Sequence, residues 1–468
     1  MSTSDAGGTK VEPLSAQERT WLSIASRADI NGWLHLKIRG APFERGFQHG
    51  YLVAAEYAEA RRVYEALTFQ TMGMEYSFFV DQASKYHRPV IERVVPDLLE
   101  EMRGIAAGLT KAGVPATLDE IIGWNAYEEL TGYWWPTVAQ NFSSAPATAG
   151  AMAKSHCSAF IATGSSTVDG GIVLGHQSFT EFWNGQFMNM ILDVEPDDGC
   201  RMVMQTCPGW IASMTDFWVT GAGLVVAETT IVGFAGYDIQ KVPEYIRARK
   251  ACQRAADIDE WISLLDAGNN GGYANMWLVG DIKTNEIAKY EQGLKYQSFA
   301  KKADGWYFGD NVPDDPRIRN LECADTGYND IRQQTGARRT RWPQLLSQYD
   351  GAIDTATGQT ILSDTFDVYL MRVNPSSRTI CAHYDIDPME YVSDPNGVWN
   401  IPFFPGGSVD AKVTTSTMAR NMSLSAIFGR ADGAPFDADE FLRVHPQWNW
   451  QQGYLKSRPH QPWTVFNG

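Results

Sequence analysis

The sequence predicts an α+β fold in which helices flank β-sheets. Three observations support this class. Residues 43–133 carry the apolar periodicity of helices, residues 157–230 contain short β-rich runs separated by Gly, Asp and Pro turns, and helical patterns return at residues 243–267. Strand runs flanked by helix runs are typical of layered α+β domains.

The N-terminal third is predicted to be mainly helical after one short strand. Gly46 and Gly50 lie early in the first long helix, where each glycine costs about 1 kcal/mol relative to alanine. They therefore indicate close packing against another backbone, or a site nearby. The predicted elements are a strand at residues 33–38 and helices at residues 43–67, 78–109 and 118–133.

The remainder of the chain is predicted to alternate between short strands and helices. Turn residues separate the strands, and longer apolar-periodic runs mark the helices. The predicted strands are residues 158–163, 172–176, 189–194, 201–206, 217–220, 224–230, 274–281, 287–292, 379–385 and 411–417. The predicted helices are residues 243–256, 258–267, 327–349 and 365–373.

Charge and hydropathy exclude several classes of partner. The net charge of the 468-residue chain is −16, which disfavours nucleic acid and anionic membrane surfaces. No apolar run approaches the ~20 residues of a membrane span, and the polar N-terminus lacks a signal-like apolar region, so we expect a cytoplasmic protein without stable membrane insertion. Export stays open as the alternative, should a signal segment precede this sequence. The oligomeric state stays open, a homo-oligomer included.

Six cysteines are present, and their spacing does not indicate a metal centre. None forms a CxxC pair and no histidines cluster at zinc spacing, so neither a metal nor another cofactor is expected. The density is also too low for a disulfide scaffold. The cysteines stand at positions 157, 200, 207, 252, 323 and 381.

The segment around Cys157 is the strongest candidate for chemistry. It follows a 19-residue stretch, residues 136–154, which is rich in Ala, Ser, Pro, Thr and Gly, and loops of that length are usually functional or disordered. Cleavage of the His156–Cys157 bond would make Cys157 an N-terminus whose α-amino group, with a pKa near ~8, could act as base for its own thiol. The alternative is a buried cysteine that packs as a small apolar residue.

Three further stretches place polar residues at the ends of predicted strands. One strand ends at His176, another ends in Glu228-Thr229-Thr230, and the amides of residues 269–275 precede a third. An acyl-transfer site needs a nucleophile, a group that orients it and amide donors for an oxyanion. Strand ends that meet at one crevice would bring these groups together.

These motifs together resemble the phospholipase B-like family of N-terminal nucleophile (Ntn) hydrolases, which mature by self-cleavage before a cysteine. The similarity covers residues 157–430, and the helical start resembles the related acyltransferases that form penicillins. The motifs that carry it are His156-Cys157-Ser158-Ala159, Cys207-Pro208-Gly209-Trp210, Asp216-Phe217, Gly221 to Val225, Glu228 to Ile231, Asn269 to Trp277 and Asp410 to Thr414.

The resemblance implies a four-layer αββα Ntn sandwich with a mostly helical N-terminal segment. It implies an N-terminal segment of residues 1–156 and a catalytic chain of residues 157–468 within one globular unit, with cleavage between His156 and Cys157. The implied catalytic residues are Cys157, His176, Thr230 and Asn275, and the implied substrate-binding residues are Asn269, Trp277, Phe179 and His383. Phe179 stands where the family has tryptophan, and His383 stands where it has arginine.

The resemblance further implies a self-processing hydrolase of an amide or ester bond in a small acyl or lipid substrate. Both a phospholipase B-like activity and an N-acyl amide amidohydrolase activity fit. Two alternatives stay open, namely an acyltransferase that passes the acyl group to an amine, and a non-catalytic homologue used for binding.

Self-cleavage predicts that the purified protein consists of two pieces. On a denaturing gel and by intact mass, we expect one piece that ends at His156 and one that runs from Cys157 to Gly468. A single chain of 52.1 kDa would contradict processing under the conditions of expression.

Overall fold

The computed structural model describes residues 12–142, 157–324, 326–391 and 401–468. Helices predominate before residue 142 and strands after residue 157, which confirms the α+β class. None of the described helices combines the length and the apolar character needed to cross a membrane. The helices are α1 (Ala16–Ser23), α2 (Pro42–Leu52), α3 (Ala54–Met72), α4 (Tyr76–Val94), α5 (Pro96–Lys111), α6 (Leu118–Glu129), α7 (Trp135–Val138), α8 (Phe182–Gly185), α9 (Glu244–Arg254), α10 (Ile258–Asp266), α11 (Pro316–Leu321), α12 (Gln334–Gln348), α13 (Thr355–Leu362), α14 (Ser416–Arg420) and α15 (Ala438–Val444).

The described strands form two large sheets and one small ribbon. The strands are β1 (Ser26–Ile30), β2 (Trp33–Gly40), β3 (Cys157–Thr163), β4 (Val173–Glu181), β5 (Met190–Pro196), β6 (Met202–Thr206), β7 (Phe217–Thr220), β8 (Leu224–Thr230), β9 (Asn275–Asp281), β10 (Glu286–Gln292), β11 (Gln297–Lys302), β12 (Gly305–Gly309), β13 (Phe366–Asp367), β14 (Arg372–Val373), β15 (Gly406–Ser408), β16 (Asp410–Thr415), β17 (Ser423–Phe428) and β18 (Thr464–Asn467). The nine-stranded sheet has the order β1-β2-β5-β6-β7-β8-β9-β10-β11, and the seven-stranded sheet has the order β12-β3-β4-β16-β17-β18, with β15 also paired to β4. Strands β13 and β14 form the ribbon.

Buried apolar side chains form separate clusters between the two large sheets and between each sheet and the helices that cover it, so strands of both sheets are buried. One cluster joins side chains of β3 and β4 to side chains of β6, β8 and β9, so the two large sheets bury a common apolar face. A second cluster packs helices α2 to α6, α9 and α10 against the nine-stranded sheet. A third packs α12 and α13 against the seven-stranded sheet.

The register of the strands positions the candidate site. Cys157 is the first residue of β3, Thr230 is the last residue of β8 and Asn275 is the first residue of β9. Thr230 pairs with Asn275 directly across the antiparallel β8–β9 ladder. The end of one strand and the start of the next therefore lie side by side.

Two of the predicted long helices are each divided in two. The backbone turns at Val53, with φ −118° and ψ 20°, which separates α2 from α3. It turns again at Val95, with φ −149° and ψ 66°, because a residue that precedes proline avoids helical geometry. Pro89 is nevertheless accommodated inside α4.

Two other secondary-structure predictions were wrong. Residues 365–373, predicted as a helix, form the β13–β14 ribbon, where the Asp367 carboxylate accepts hydrogen bonds from the backbone N–H of Tyr369 at 2.9 Å and of Leu370 at 3.1 Å. Aspartate stabilises turns in this way, in competition with helix. Residues 379–385, predicted as a strand, pair only through a bridge between His383 and Gly407 in the described part of the chain.

Helices α2 and α5 cross at backbone contact, which confirms the close packing that Gly46 and Gly50 predict. A Cβ atom at Gly46 would overlap the Glu101 carbonyl oxygen, and one at Gly50 would overlap that of Ile105. Gly104 meets α2 in the same way from the other side. The glycines thus permit an interhelical approach that no larger residue allows.

We expect Gly46→Ala to destabilise the fold by about 1–3 kcal/mol, since an added methyl group must push two backbones apart. Urea unfolding measures the change. Gly221→Ala is the matched control, because the nearest atoms lie 3.4 Å from its Cβ position and the effect should stay within about 0.5 kcal/mol. Equal effects of the two substitutions would contradict the proposed contact.

Candidate active site

Cys157 is buried where β3 begins, with a carboxyl group as the partner of its thiol. Its Sγ atom donates a hydrogen bond to Glu228 Oε1 at 3.4 Å. On the other side, Cys157 pairs with Ser178 across the β3–β4 ladder. The thiol therefore lies between the seven-stranded sheet that carries it and the end of β8 in the nine-stranded sheet.

His176 completes a compact group with these two residues. A ring nitrogen of His176, the Cys157 sulfur and a Glu228 carboxylate oxygen lie within 4.8 Å of one another. Both ring nitrogens are buried, and neither makes a hydrogen bond to a side chain among the described residues. Burial, reinforced by the charge of Lys412, lowers the pKa of His176 well below its usual value, so the imidazole is neutral.

The carboxyl groups of Glu228 and Asp216 are held in their protonated range by burial. Burial raises the pKa of Glu228 to about 8. The pKa of Asp216 also lies well above its usual value, first because of burial and then because of the neighbouring Glu228 charge. The two hydrogen-bonded carboxyls thus retain protons at a pH where exposed ones have none.

The thiol itself is protonated at neutral pH. Burial raises the pKa of Cys157 well above its usual value, and the Glu228 charge raises it further. The Lys412 ammonium acts in the opposite direction. A nucleophilic attack by this sulfur therefore requires a base that accepts its proton during the reaction.

Lys412 belongs to a buried polar network behind the thiol. Its Nζ atom donates to Asp410 Oδ1 at 2.5 Å and to Ser178 Oγ at 3.1 Å. Gln205 of the nine-stranded sheet donates to the other oxygen of Asp410 at 2.7 Å. The network joins the two sheets and fixes a positive charge near the sulfur.

Thr230 and Asn275 lie together at the ends of their strands. Thr230 Oγ1 donates to Glu228 Oε2 at 3.4 Å, which connects it to the Cys157 group. Both polar atoms of the Asn275 side chain are buried without a hydrogen-bond partner among the described residues. Buried amides are normally satisfied, so this amide is available to a ligand.

Arg338 and Asn311 contact the site, although the sequence did not identify either residue. Arg338 Nη1 donates to the Cys157 carbonyl at 2.9 Å and to Ser158 Oγ at 3.0 Å, and its Nη2 donates to Asn311 Oδ1 at 2.8 Å. Asn311 Nδ2 donates to the Thr230 carbonyl at 2.7 Å. These bonds tie the start of β3 to the end of β8.

Two of the predicted substrate-binding residues flank this group. The guanidinium of Arg338 lies 5.1 Å from the centre of the Phe179 ring, so Phe179 supports a residue that contacts Cys157. Trp277 pairs with Glu228 across the β8–β9 ladder and packs edge-on against Trp261 of α10, with ring centroids 5.1 Å apart. Its ring therefore lies on the helical side of the sheet.

The other two predicted substrate-binding residues make contacts elsewhere. Asn269 donates to the Gly293 carbonyl at 2.7 Å and accepts from the Gly271 N–H at 2.9 Å, so it shapes its own loop. The ring of His383 bonds to Asp432, with Nε2 and Oδ2 2.8 Å apart. Burial alone would lower the pKa of His383, but Asp432 and the nearby Cys381 raise it to about 9. His156 lies outside the described residues.

Three cavities of about 190 to 740 Å³, formed by described residues, do not have Cys157 in their lining. A cavity of about 740 Å³ lies between α11 and α12 and is lined by residues such as Arg319, Tyr328 and Gln333. The cavity that includes Asp216 holds only about 10 Å³. Cys157 is 2% exposed, so its thiol is buried among the described residues.

Comparison with known proteins identifies relatives for more than half of the chain. A family model described as phospholipase B matches residues 48–315. A protein of Archaeoglobus fulgidus is 25% identical over 301 residues, which are 61% of this chain and 47% of that protein.

Two eukaryotic proteins that the chain resembles have names that match the description of this family model. Human phospholipase B-like 1 is 27% identical over 261 residues, which are 49% of this chain and 43% of that protein. Phospholipase B of Crotalus adamanteus is 25% identical over 261 residues, with the same two shares. The chain thus matches under half the length of these relatives.

The raised pKa of Glu228 predicts that alkali weakens the fold. Because its folded pKa of about 8 exceeds the ordinary 4.5, its contribution to stability is complete below pH 4.5 and is lost as the pH rises through 8. Glu228→Gln, which cannot ionise, should flatten this part of the profile of unfolding free energy against pH. Glu440→Gln is the control, because Glu440 is exposed on α15 and its replacement should leave the pH dependence of the unfolding free energy as in the wild type. The same pH dependence in the wild type and in both variants would contradict the raised pKa of Glu228.

Proposed function

Since the chain belongs to the phospholipase B family, we propose that it hydrolyses an ester or amide bond of a small acyl or lipid substrate, with the Cys157 thiol as nucleophile. The observation that carries the proposal is the buried group formed by Cys157, His176 and Glu228. It combines a nucleophile, a neutral imidazole and a carboxyl group that can exchange a proton near neutral pH.

We further propose that the chain is an Ntn hydrolase that cuts itself before Cys157. The thiol attacks the carbonyl of His156, and the acyl group moves from nitrogen to sulfur, which breaks the peptide C–N bond and frees the α-amino group. Water then hydrolyses the thioester, which releases the His156 carboxyl group and the Cys157 thiol. In this proposal residues 1–156 form the N-terminal segment and residues 157–468 the catalytic chain. Two observations support it: helices pack on the outer faces of two stacked sheets, as in a four-layer αββα sandwich, and the thiol is buried among the described residues.

Glu228 is the group best placed to take the thiol proton before an α-amino group exists. Its Oε1 atom is the hydrogen-bond acceptor of Cys157 Sγ, and its pKa of about 8 suits a base that works near neutral pH. After the cut, the new α-amino group, with an ordinary pKa near ~8, takes over this role. It accepts the thiol proton as sulfur attacks the substrate and then returns the proton to the leaving group.

Asn275 and Arg338 have different roles in this mechanism. The unpartnered amide of Asn275 is a donor for the oxyanion of the tetrahedral intermediate, and loss of one such donor costs on the order of 10²-fold in rate. Arg338 holds the Cys157 carbonyl and so orients the first residue of β3. Water then hydrolyses the acyl-enzyme.

Replacement of Cys157 tests the proposal directly. We expect Cys157→Ala to remain one uncut chain, to resist labelling by thiol-directed acyl probes, and to lose ester and amide hydrolysis by several orders of magnitude, since no other group replaces a nucleophile. The assay is a panel of chromogenic esters and N-acyl amides.

Cys207→Ala is the matched control, because Cys207 is equally buried but contacts Met214 rather than the Cys157 group. It should be processed, labelled and active like the wild type. Full hydrolytic activity in Cys157→Ala would overturn the assignment of the nucleophile.

A further inference from the structure

A second group of ligand-type side chains lies apart from the candidate active site. It consists of Cys381, His383 and Asp432, of which one ligand atom each lies within 4.8 Å of the other two. Cys381 and His383 are buried, whereas the Asp432 side chain is 21% exposed. Sequence spacing did not indicate this group, because Asp432 is 49 residues from His383.

The His383 ring has one nitrogen engaged and one unsatisfied. Nε2 lies 2.8 Å from Asp432 Oδ2, whereas Nδ1 is buried without a hydrogen-bond partner among the described residues. Buried polar atoms rarely lack a partner, and an unsatisfied one costs about 1–3 kcal/mol. The imidazole therefore has bonding capacity that its contact with Asp432 does not use.

The backbone holds the three side chains in place. The Cys381 N–H donates to the Asp364 carbonyl at 2.9 Å, and the His383 N–H donates to the Ser376 carbonyl at 3.0 Å. Asp432 Oδ1 accepts from the Ala434 N–H at 3.0 Å, so its carboxylate is fixed within its turn. A site on anchored segments loses little conformational entropy when it binds a ligand.

The charges around the group also suit a cation. The nearby Arg430 guanidinium is paired with the Asp385 carboxylate, with Nη2 and Oδ1 2.6 Å apart. Its positive charge is thereby compensated locally. A cysteine thiolate and the Asp432 carboxylate would together balance a divalent ion.

We propose that Cys381, His383 and Asp432 bind a divalent transition-metal ion, and that Zn²⁺ fits best. Thiolate sulfur, imidazole nitrogen and carboxylate oxygen are the three protein ligand types of zinc, and a water molecule on the exposed side of Asp432 would complete a tetrahedron. On binding, the thiol and the imidazolium each release one proton to solvent, and the ion takes the place of the hydrogen bond between His383 Nε2 and Asp432 Oδ2, so that both atoms become ligands.

The proposed site is structural in character. The ion would link the turn at Asp432 to the segment that contains Cys381 and His383. Ile380 of that segment accepts a hydrogen bond from Gln177 at 2.6 Å, and Gln177 follows His176 in β4. The metal would therefore stabilise the surroundings of β4 without contacting substrate.

Cobalt titration of the full chain tests the proposal. The experiment uses Cys157→Ala, because the Cys157 group is itself a set of metal-ligand atoms that would otherwise bind the probe. We expect Co²⁺ to produce a thiolate-to-cobalt charge-transfer band that saturates at one equivalent and that Zn²⁺ abolishes. The band should disappear when Cys381→Ser is added and persist when Cys323→Ser is added at a half-buried cysteine elsewhere.

Asp432→Asn, added to Cys157→Ala, keeps the test decisive if Cys381→Ser fails to fold by circular dichroism. Its side chain reaches solvent, so the fold should be retained. Replacement of the charged carboxylate by a neutral amide, a weaker metal ligand, should weaken Co²⁺ binding by about tenfold or more. Absence of the band in Cys157→Ala, a band that survives Cys381→Ser, or unchanged Co²⁺ affinity in Asp432→Asn would each overturn the proposal.

Discussion

Burial of ionisable groups at the adjoining ends of β3 and β8 is the constraint on which the candidate site depends. The thiol, the imidazole and two carboxyls share a volume from which water is largely excluded, so each shifts toward its uncharged form. A protein accepts such a cost only where the surrounding structure holds the groups in place. Here the apolar cluster between the sheets and the Lys412–Asp410 pair provide that support.

The same burial separates the roles of similar residues. Glu228 exchanges a proton near neutral pH, whereas the Glu101 carboxylate, equally buried, is kept charged by Arg45 and Arg249. The difference lies in the partners rather than in the depth of burial. A buried carboxyl group without an arginine partner is therefore a candidate for proton transfer. A buried carboxylate paired with two arginines is expected to have a structural role.

Sequence reasoning located the strand-end residues and missed those that reach them from elsewhere. Polar residues that interrupt apolar patterns mark the strand ends, and the resemblance to a known family implies site roles for Cys157, His176, Thr230 and Asn275 among them. Arg338 could not be found in this way, since it approaches Cys157 across 181 residues from the buried side of an otherwise ordinary helix. The prediction of a helix at residues 365–373 is wrong for a local reason. The Asp367 side chain accepts a hydrogen bond from the Tyr369 backbone N–H, and this bond stabilises a turn instead of a helix.

The place of β2 in the nine-stranded sheet has a consequence for the assembly of the chain. This strand precedes residue 142, yet it pairs in parallel with β5 from Leu34–Met190 to Gly40–Pro196, and helices α2 to α6 cover the same sheet. A backbone break between residues 142 and 157 would leave these contacts intact. The halves would then persist as a noncovalent heterodimer whose subunits share one core, so neither half would be a complete folding unit without the other.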